Sequence, residues 1–276
     1  KSFQRTDLVE FLRTWYGLPN LVLVVAGQAE KVMAAETLAA IEQNFSKADG
    51  LKEQRGQAKV AVKTKLEEKL AAKSVFSKKR LSIEKRDIKQ AHFILGWPGF
   101  DRHDERRYAE SLLSTILGGN MSSRLFTEVR EKRGLAYYVS SKADGFHEAG
   151  VLGAAAGVDA DRVEEALKVT QEQFVNLTNG KNLITDGELE RVKEYAAGKL
   201  ALNLEDSQTM AKHYGLRQLL LDEIKTPAES LAELQAVTLE EVQATAESIV
   251  KSGEMRLALV GPFSTADRSR FEKFVK

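Results

Sequence analysis

Apolar residues near the start of the chain recur at helical spacing. Leu8, Phe11, Leu12 and Trp15 fall at i, i+3, i+4 and i+7, with Thr6 placed to cap the helix they predict. Gly17-Leu18-Pro19-Asn20 breaks that helix, and LVLVVAG at 21–27 reads as a short, fully apolar strand ending in glycine. A second helix then carries Val32, Leu38, Ile41 and Phe45 on one face. Periodicity fades into a charged connector that runs to about Arg80. It returns in QAHFILGWPG at 90–99, a strand stopped by Pro98-Gly99. The spacing of Tyr108, Leu112 and Ile116 predicts a helix over 103–117. After a break at Gly118-Gly119, a helix is expected over 123–133 with Ser122 or Ser123 as its cap. Strands 136–142 and 146–157 read as an antiparallel pair around Asp144-Gly145. Helices follow near Asp161, Thr185, Ser207 and Thr238, three of them opening on a cap with Glu three residues on. MRLALVG at 255–261 is the closing strand. Strands interleaved with capped helices predict an α/β (α+β) fold, its sheets mainly antiparallel and covered by helices.

One internal echo bears on domain organisation. Residues 6–27 and 238–261 share a plan of Thr cap, amphipathic helix, polar turn, apolar strand and glycine. A repeat at that separation is too long for a solenoid unit and implies duplicated domains. Residues 1–73 are then expected to be the second half of a first domain plus the connector. Residues 74–276 are expected to be a complete second copy. On that division the 1–46 block leaves apolar surface for missing sequence or a neighbour to cover.

Composition narrows the function classes. Forty-one Lys/Arg against forty Asp/Glu leave a net charge of +1, which disfavours nucleic-acid or anionic-membrane binding by bulk charge. Residues 47–90 hold fourteen Lys/Arg and six Asp/Glu, the pattern of a solvated connector. The chain has no cysteine, so disulfides and thiolate metal sites are excluded. Its longest aliphatic run, LVLVVA, is far short of a membrane span. KSFQRTDLVEFL shows no signal-peptide pattern, which leaves bacterial periplasm and cytoplasm both open. GGNMSSR matches neither glycine-rich nucleotide motif, so Gly118-Gly119 is expected to serve close helix packing instead.

The run GGNMSSRLF, followed by R130-E-K-R-G-L-A-Y137 and preceded by QAHFILGWPG and YGLPNLVLVVAG, resembles the pitrilysin/insulinase-type zinc metallopeptidases. Mitochondrial processing peptidase and the core proteins of the respiratory cytochrome bc complex share that family's fold. The resemblance covers essentially the whole chain. It implies a duplicated metallopeptidase-type domain whose first copy is incomplete here. Catalytic units of the family carry H-x-x-E-H and a further downstream glutamate. A homologous half without metal supplies an arginine and a tyrosine to the same cleft, and Arg130 and Tyr137 stand at the matching positions.

The departures from the catalytic pattern are as informative as the matches. None of His92, His103, His147 and His213 has another histidine four residues away, and no H-x-x-E-H occurs. A metal site within this chain is therefore not expected. Zinc is assigned to a missing or partner catalytic domain, and the chain is expected to be inactive alone. Peptides or unfolded proteins would be the substrate class, with a zinc-bearing homologous domain or subunit, and a dimer, as the assembly. Read from the residues alone, Arg130 could instead pair with Glu128 or Glu131 on a helix face. Tyr137 could equally be a packed strand aromatic, with Tyr138 on the opposite strand face the better candidate for packing. The second functional reading is a non-catalytic assembly or peptide-binding homologue.

Overall fold

The computed structural model describes residues 2–46 and 80–275, so most of the basic connector lies outside the described residues. They fall into two compact units, one drawn from Lys1–Ser77 and Ala201–Thr226, the other from Lys78–Leu200 and Pro227–Lys276.

In the first unit, α1 (Arg5–Trp15) is followed by a 3₁₀ turn at Leu18–Asn20, α2 (Ala29–Val32) and α3 (Ala35–Ser46). The single second helix expected from the sequence is thus two. The cap of α1 also differs from expectation. Helix begins at Arg5, before Thr6, and the backbone N–H of Gln4 donates to Asp7 Oδ2 at 2.9 Å. A further correction concerns LVLVVAG, where no strand forms among the described residues. Apolar composition makes a segment suited to a sheet, but a ladder also needs neighbours to take its N–H and C=O groups.

The second unit is built on a five-stranded sheet. Its strands are β1 (Leu81–Lys85), β2 (Gln90–Gly99), β3 (Ala136–Gly145), β4 (Gly150–Asp159) and β5 (Arg256–Gly261), in the order β1-β5-β2-β4-β3. Three of the four adjacencies are antiparallel, and β1 runs parallel to β5. The mainly antiparallel sheet read from the sequence is therefore present. Alternation sets its faces: Ala91, Phe93, Leu95 and Trp97 of β2 are buried, whereas Ile94 between them is exposed. The buried face is covered by α4 (Arg107–Gly118), α5 (Val163–Val175) and, later in the chain, Leu239–Val250. Trp97 and Phe174 stack there with ring centroids 4.8 Å apart. The remaining helices are α6 (Asp186–Asn203), α7 (Ser207–Leu221) in the first unit, α8 (Pro227–Ala236), α9 (Leu239–Val250) and α10 (Arg268–Glu272). Thr238 caps α9 through a reciprocal box with Glu241, as its T-x-x-E spacing predicts.

Glycine at 118 is required by helix-on-strand packing. A Cβ there would lie 2.3 Å from the Ser141 backbone nitrogen, so α4 can approach β3 only without a side chain. The close contact expected of Gly118-Gly119 is real, but its partner is a strand rather than a helix.

Glu110 sits buried on the inner side of α4. Burial pushes its carboxyl up from 4.5 to about 7. The Phe100 N–H pulls it down, Asp104 adds to the rise and Arg106 opposes it. A carboxyl whose folded pKa is raised stabilises the fold most at low pH, and that contribution fades as pH climbs through the folded value. Urea unfolding is therefore expected to show stability falling by on the order of 2 kcal/mol from pH 5 to pH 8 on account of this group. Glu110→Gln should flatten that slope. An unchanged slope in the variant would refute the assignment.

Candidate functional site

The chain from Gly119 to Tyr138 builds one continuous edge. Asn120 organises its entry: Ser122 donates through its hydroxyl and backbone N–H to Asn120 Oδ1, and the Ser123 hydroxyl donates to the Asn120 carbonyl. Neither serine accepts from the helix N–H groups as a cap would, so the expected cap is replaced by an asparagine turn. Helix then runs from Arg124 and becomes π-helical over Phe126–Glu131, where the Lys132 N–H reaches back to the Thr127 carbonyl at 2.9 Å. Such one-turn π segments recur at functional sites because the extra residue re-aims the side chains around it.

The segment is anchored at its base. Arg124, nearly buried, makes a two-pronged pair with Glu188, Nε to Oε1 and Nη2 to Oε2, each at 2.7 Å. Its Nη1 and Nη2 also donate to the carbonyls of Asn182 and Leu183. Glu188 accepts in addition from the N–H and hydroxyl of Thr185, closing the T-x-x-E cap of α6. Burial would raise the Glu188 carboxyl, but the Arg124 and Thr185 hydrogen bonds outweigh it and hold the group below its ordinary value. Arg124 belongs to the GGNMSSRLF string, but nothing local in the sequence marks it as an anchor, because its partners are Asn182, Leu183 and Glu188.

At the other end of the segment, cations are sorted. Glu128 takes Lys132 at 2.6 Å and Arg133 at 2.6 Å, and its carboxyl is lowered by those two hydrogen bonds. Arg130 is exposed and makes no ion pair among the described residues. Its guanidinium lies over the Phe126 ring, 5.1 Å from the centroid. Neither Glu128 nor Glu131 holds it. Gly134 adopts φ +56°, and the Gly134 and Leu135 N–H groups close the helix end onto the carbonyls of Arg130 and Val129.

Tyr137 follows directly. Ala136 pairs with Val158 and Tyr138 with Gly157, so Tyr137 is the additional residue of a β-bulge, set out of the ladder. It is 58% exposed, and its hydroxyl has no hydrogen-bond partner among the described residues. Of the two tyrosines Tyr138 is the one that packs, as expected, with its ring stacked on His92, although the split is incomplete. A bulge interrupts the alternation, and Tyr138 is also exposed. It lies across Gly157, with its hydroxyl 3.1 Å from His92 Nδ1.

Zinc does not fit these residues. His92 contacts Tyr138, His103 and His147 contact each other at 3.2 Å, and His213 Nε2 meets the Lys225 carbonyl at 2.9 Å. Among the described residues no three His, Cys, Asp or Glu side chains gather as a metal site. Nor is any described helix long and apolar enough to cross a membrane.

A family model described as the peptidase M16 inactive domain matches residues 2–195. The chain belongs to the peptidase M16 inactive-domain family. The pitrilysin/insulinase resemblance carried by the 118–137 string is thereby confirmed. An uncharacterized zinc protease of Streptomyces coelicolor is 33% identical over 265 residues, 96% of this chain. The chain spans only 55% of that relative's length. A peptidase M16 inactive domain from Pseudomonas fluorescens, solved as a crystal structure, is similar at 27% identity and a TM-score of 0.60, over 68% of this chain and 44% of that one. A protease from Helicobacter pylori shares the fold at a TM-score of 0.75 and 17% identity, over 95% of this chain and 59% of its own.

Proposed function

We propose that this M16 inactive-domain chain is the metal-free part of a zinc-dependent peptidase, lending Arg130 and Tyr137 to a cleft whose zinc and general base belong to a homologous domain or subunit. On this reading residues 1–73 complete such a first domain and residues 74–276 form the second. The observation that carries it is the state of the two polar heads. Among the described residues, Glu128 engages both neighbouring cations and leaves Arg130 without an ion pair, over the Phe126 ring, while the bulge holds Tyr137 outward with its hydroxyl making no hydrogen bond. A side chain kept for packing would be buried, and one kept for a surface ion pair would have its partner.

The chemistry follows from charge. Attack of water on a scissile carbonyl builds negative charge on oxygen, and donors held where that charge develops lower the barrier. Arginine offers a rigid, permanently charged donor fork, and tyrosine a single neutral O–H. Both donate to the developing oxyanion or to the peptide beside it, and neither needs to accept a proton.

The test is reconstitution. Alone, the purified chain is expected to hold no stoichiometric zinc and to cleave no peptide library. Turnover should appear when it is combined with an H-x-x-E-H-bearing domain of the family. Tight zinc or peptidase activity in the chain alone would overturn the reading, as would a metal-bearing domain whose turnover the chain leaves unchanged.

A further inference from the structure

A cleft of about 410 Å³ opens between the start of α4 and the face of α9 beside it. That is the size of a small-molecule site. It stands apart from Arg130 and Tyr137. Glu105 and Arg106, which line it, follow Gly99, and Gly99 pairs with Gly150 at the start of β4. Tyr137 stands beside Gly157 and Val158 near the end of that strand, roughly 25 Å further along. Buried Ala109 and Val237 line the depth of the cleft, and exposed Ala244 lines its mouth. Thr245 lines it too. This residue is only 3% exposed, yet its hydroxyl makes no hydrogen bond among the described residues. A helical threonine can return its hydroxyl to the carbonyl four residues back, as Thr115 does on α4 and Thr14 on α1. Thr245 makes no such bond, so its hydroxyl is left to the cleft. A buried polar group without a partner destabilises, and a ligand that bonds it removes that cost.

The charge of the cleft is one-sided. Arg106 is engaged by Asp104 through both Nε and Nη2, and its guanidinium lies over the Phe100 ring. Glu105 makes no ion pair or hydrogen bond among the described residues. Glu241 commits Oε2 to the Thr238 N–H, and its other oxygen takes no partner among them. Two carboxylates, one from the α4 side and one from α9, therefore flank a small apolar depth with an unused hydroxyl. We infer that this cleft binds a small linear diamine or polyamine. Its ammonium groups meet Glu105 and Glu241, its methylene chain lies over Ala109 and Val237, and the Thr245 hydroxyl accepts an N–H. An ammonium offers donors alone, which is what two carboxylates and a free hydroxyl oxygen require. An anionic ligand would meet like charge instead. Nothing in this inference depends on the roles assigned to Arg130 and Tyr137.

Titration of 1,5-diaminopentane into the full chain, followed by calorimetry and by amide NMR shifts, tests it. One saturable site is expected, with a Kd below about 1 mM and shifts gathered at 105–109 and 237–248. Pentylamine should bind at least about fivefold more weakly, and 1-pentanol not measurably, as charge-assisted bonds are removed in turn. Glu105→Gln and Glu241→Gln should each weaken the diamine by at least about fivefold. Glutamine at 241 still closes the capping box, so the melting temperature should hold. Ala244→Leu, which fills the mouth from an exposed helical position, should abolish binding and leave the fold intact. Three results would overturn the inference. No saturation at about ten times the expected Kd would mean no site. Pentanol binding as well as the diamine would mean that the carboxylates play no part. Unchanged diamine affinity in Ala244→Leu would place the amine elsewhere on the chain.

Discussion

Arg124→Ala is expected to lower the unfolding free energy of the chain by about 3–4 kcal/mol. The expectation rests on what the substitution strands. Glu188 would lose both prongs of its pair while remaining mostly covered, and the carbonyls of Asn182 and Leu183 would lose their donors. Removing one partner of a buried pair costs far more than the pair contributes in net terms, because the other charge stays desolvated. For a unit of this size the fall in melting temperature should be roughly 10 °C. Arg162→Ala is the control. Its pair with Glu165 is about half exposed, and its loss should cost less than about 1 kcal/mol. Thermal and urea unfolding read both, and equal losses in the two variants would show that the 124–188 connection is no anchor. Because Arg124 opens the segment that carries Arg130, the variant should also reduce turnover in the reconstituted enzyme.

The second large effect concerns chemistry. Under the proposed assignment, Tyr137→Phe and Arg130→Ala each lower kcat by about a hundredfold, near 3 kcal/mol of transition-state stabilisation, with a smaller change in KM. Zinc content should not move, since neither residue contributes to a metal site. Arg130→Lys should restore only part of the loss, because a point charge does not reproduce the guanidinium fork. Both side chains are exposed, so their removal should leave the melting temperature within about 1 °C. A purely structural role predicts the reverse pattern: full turnover per folded molecule and a lower melting temperature.

How legible these features were depends on whether their causes are local. The T-x-x-E caps at Thr185 and Thr238 and the strand QAHFILGWPG are each set by a few adjacent residues, and each stands where the sequence places it. β1 follows directly on the charged connector and carries little apolar pattern of its own. Only Leu81 and Ile83 are apolar there, and its partner β5 lies at the other end of the chain. The helix α8 opens on Pro227 and carries no clear apolar stripe, so no periodicity predicts it. The family string pointed to Arg130 and Tyr137, but not to how they are displayed. A π turn and a bulge each insert one residue into a hydrogen-bond ladder, which leaves the pattern of apolar positions nearly unchanged. LVLVVAG shows the opposite failure, a strong strand signal with no sheet among the described residues to satisfy it.

The central claim is that Arg130 and Tyr137 act on the reaction rather than on the fold. Single-turnover kinetics of the reconstituted enzyme, with the Arg130→Ala/Tyr137→Phe double variant compared at equal folded protein and equal zinc, addresses it most directly. The account predicts a cleavage step slowed by at least about a hundredfold with peptide binding largely retained. Cleavage at the wild-type rate by the folded double variant would contradict it.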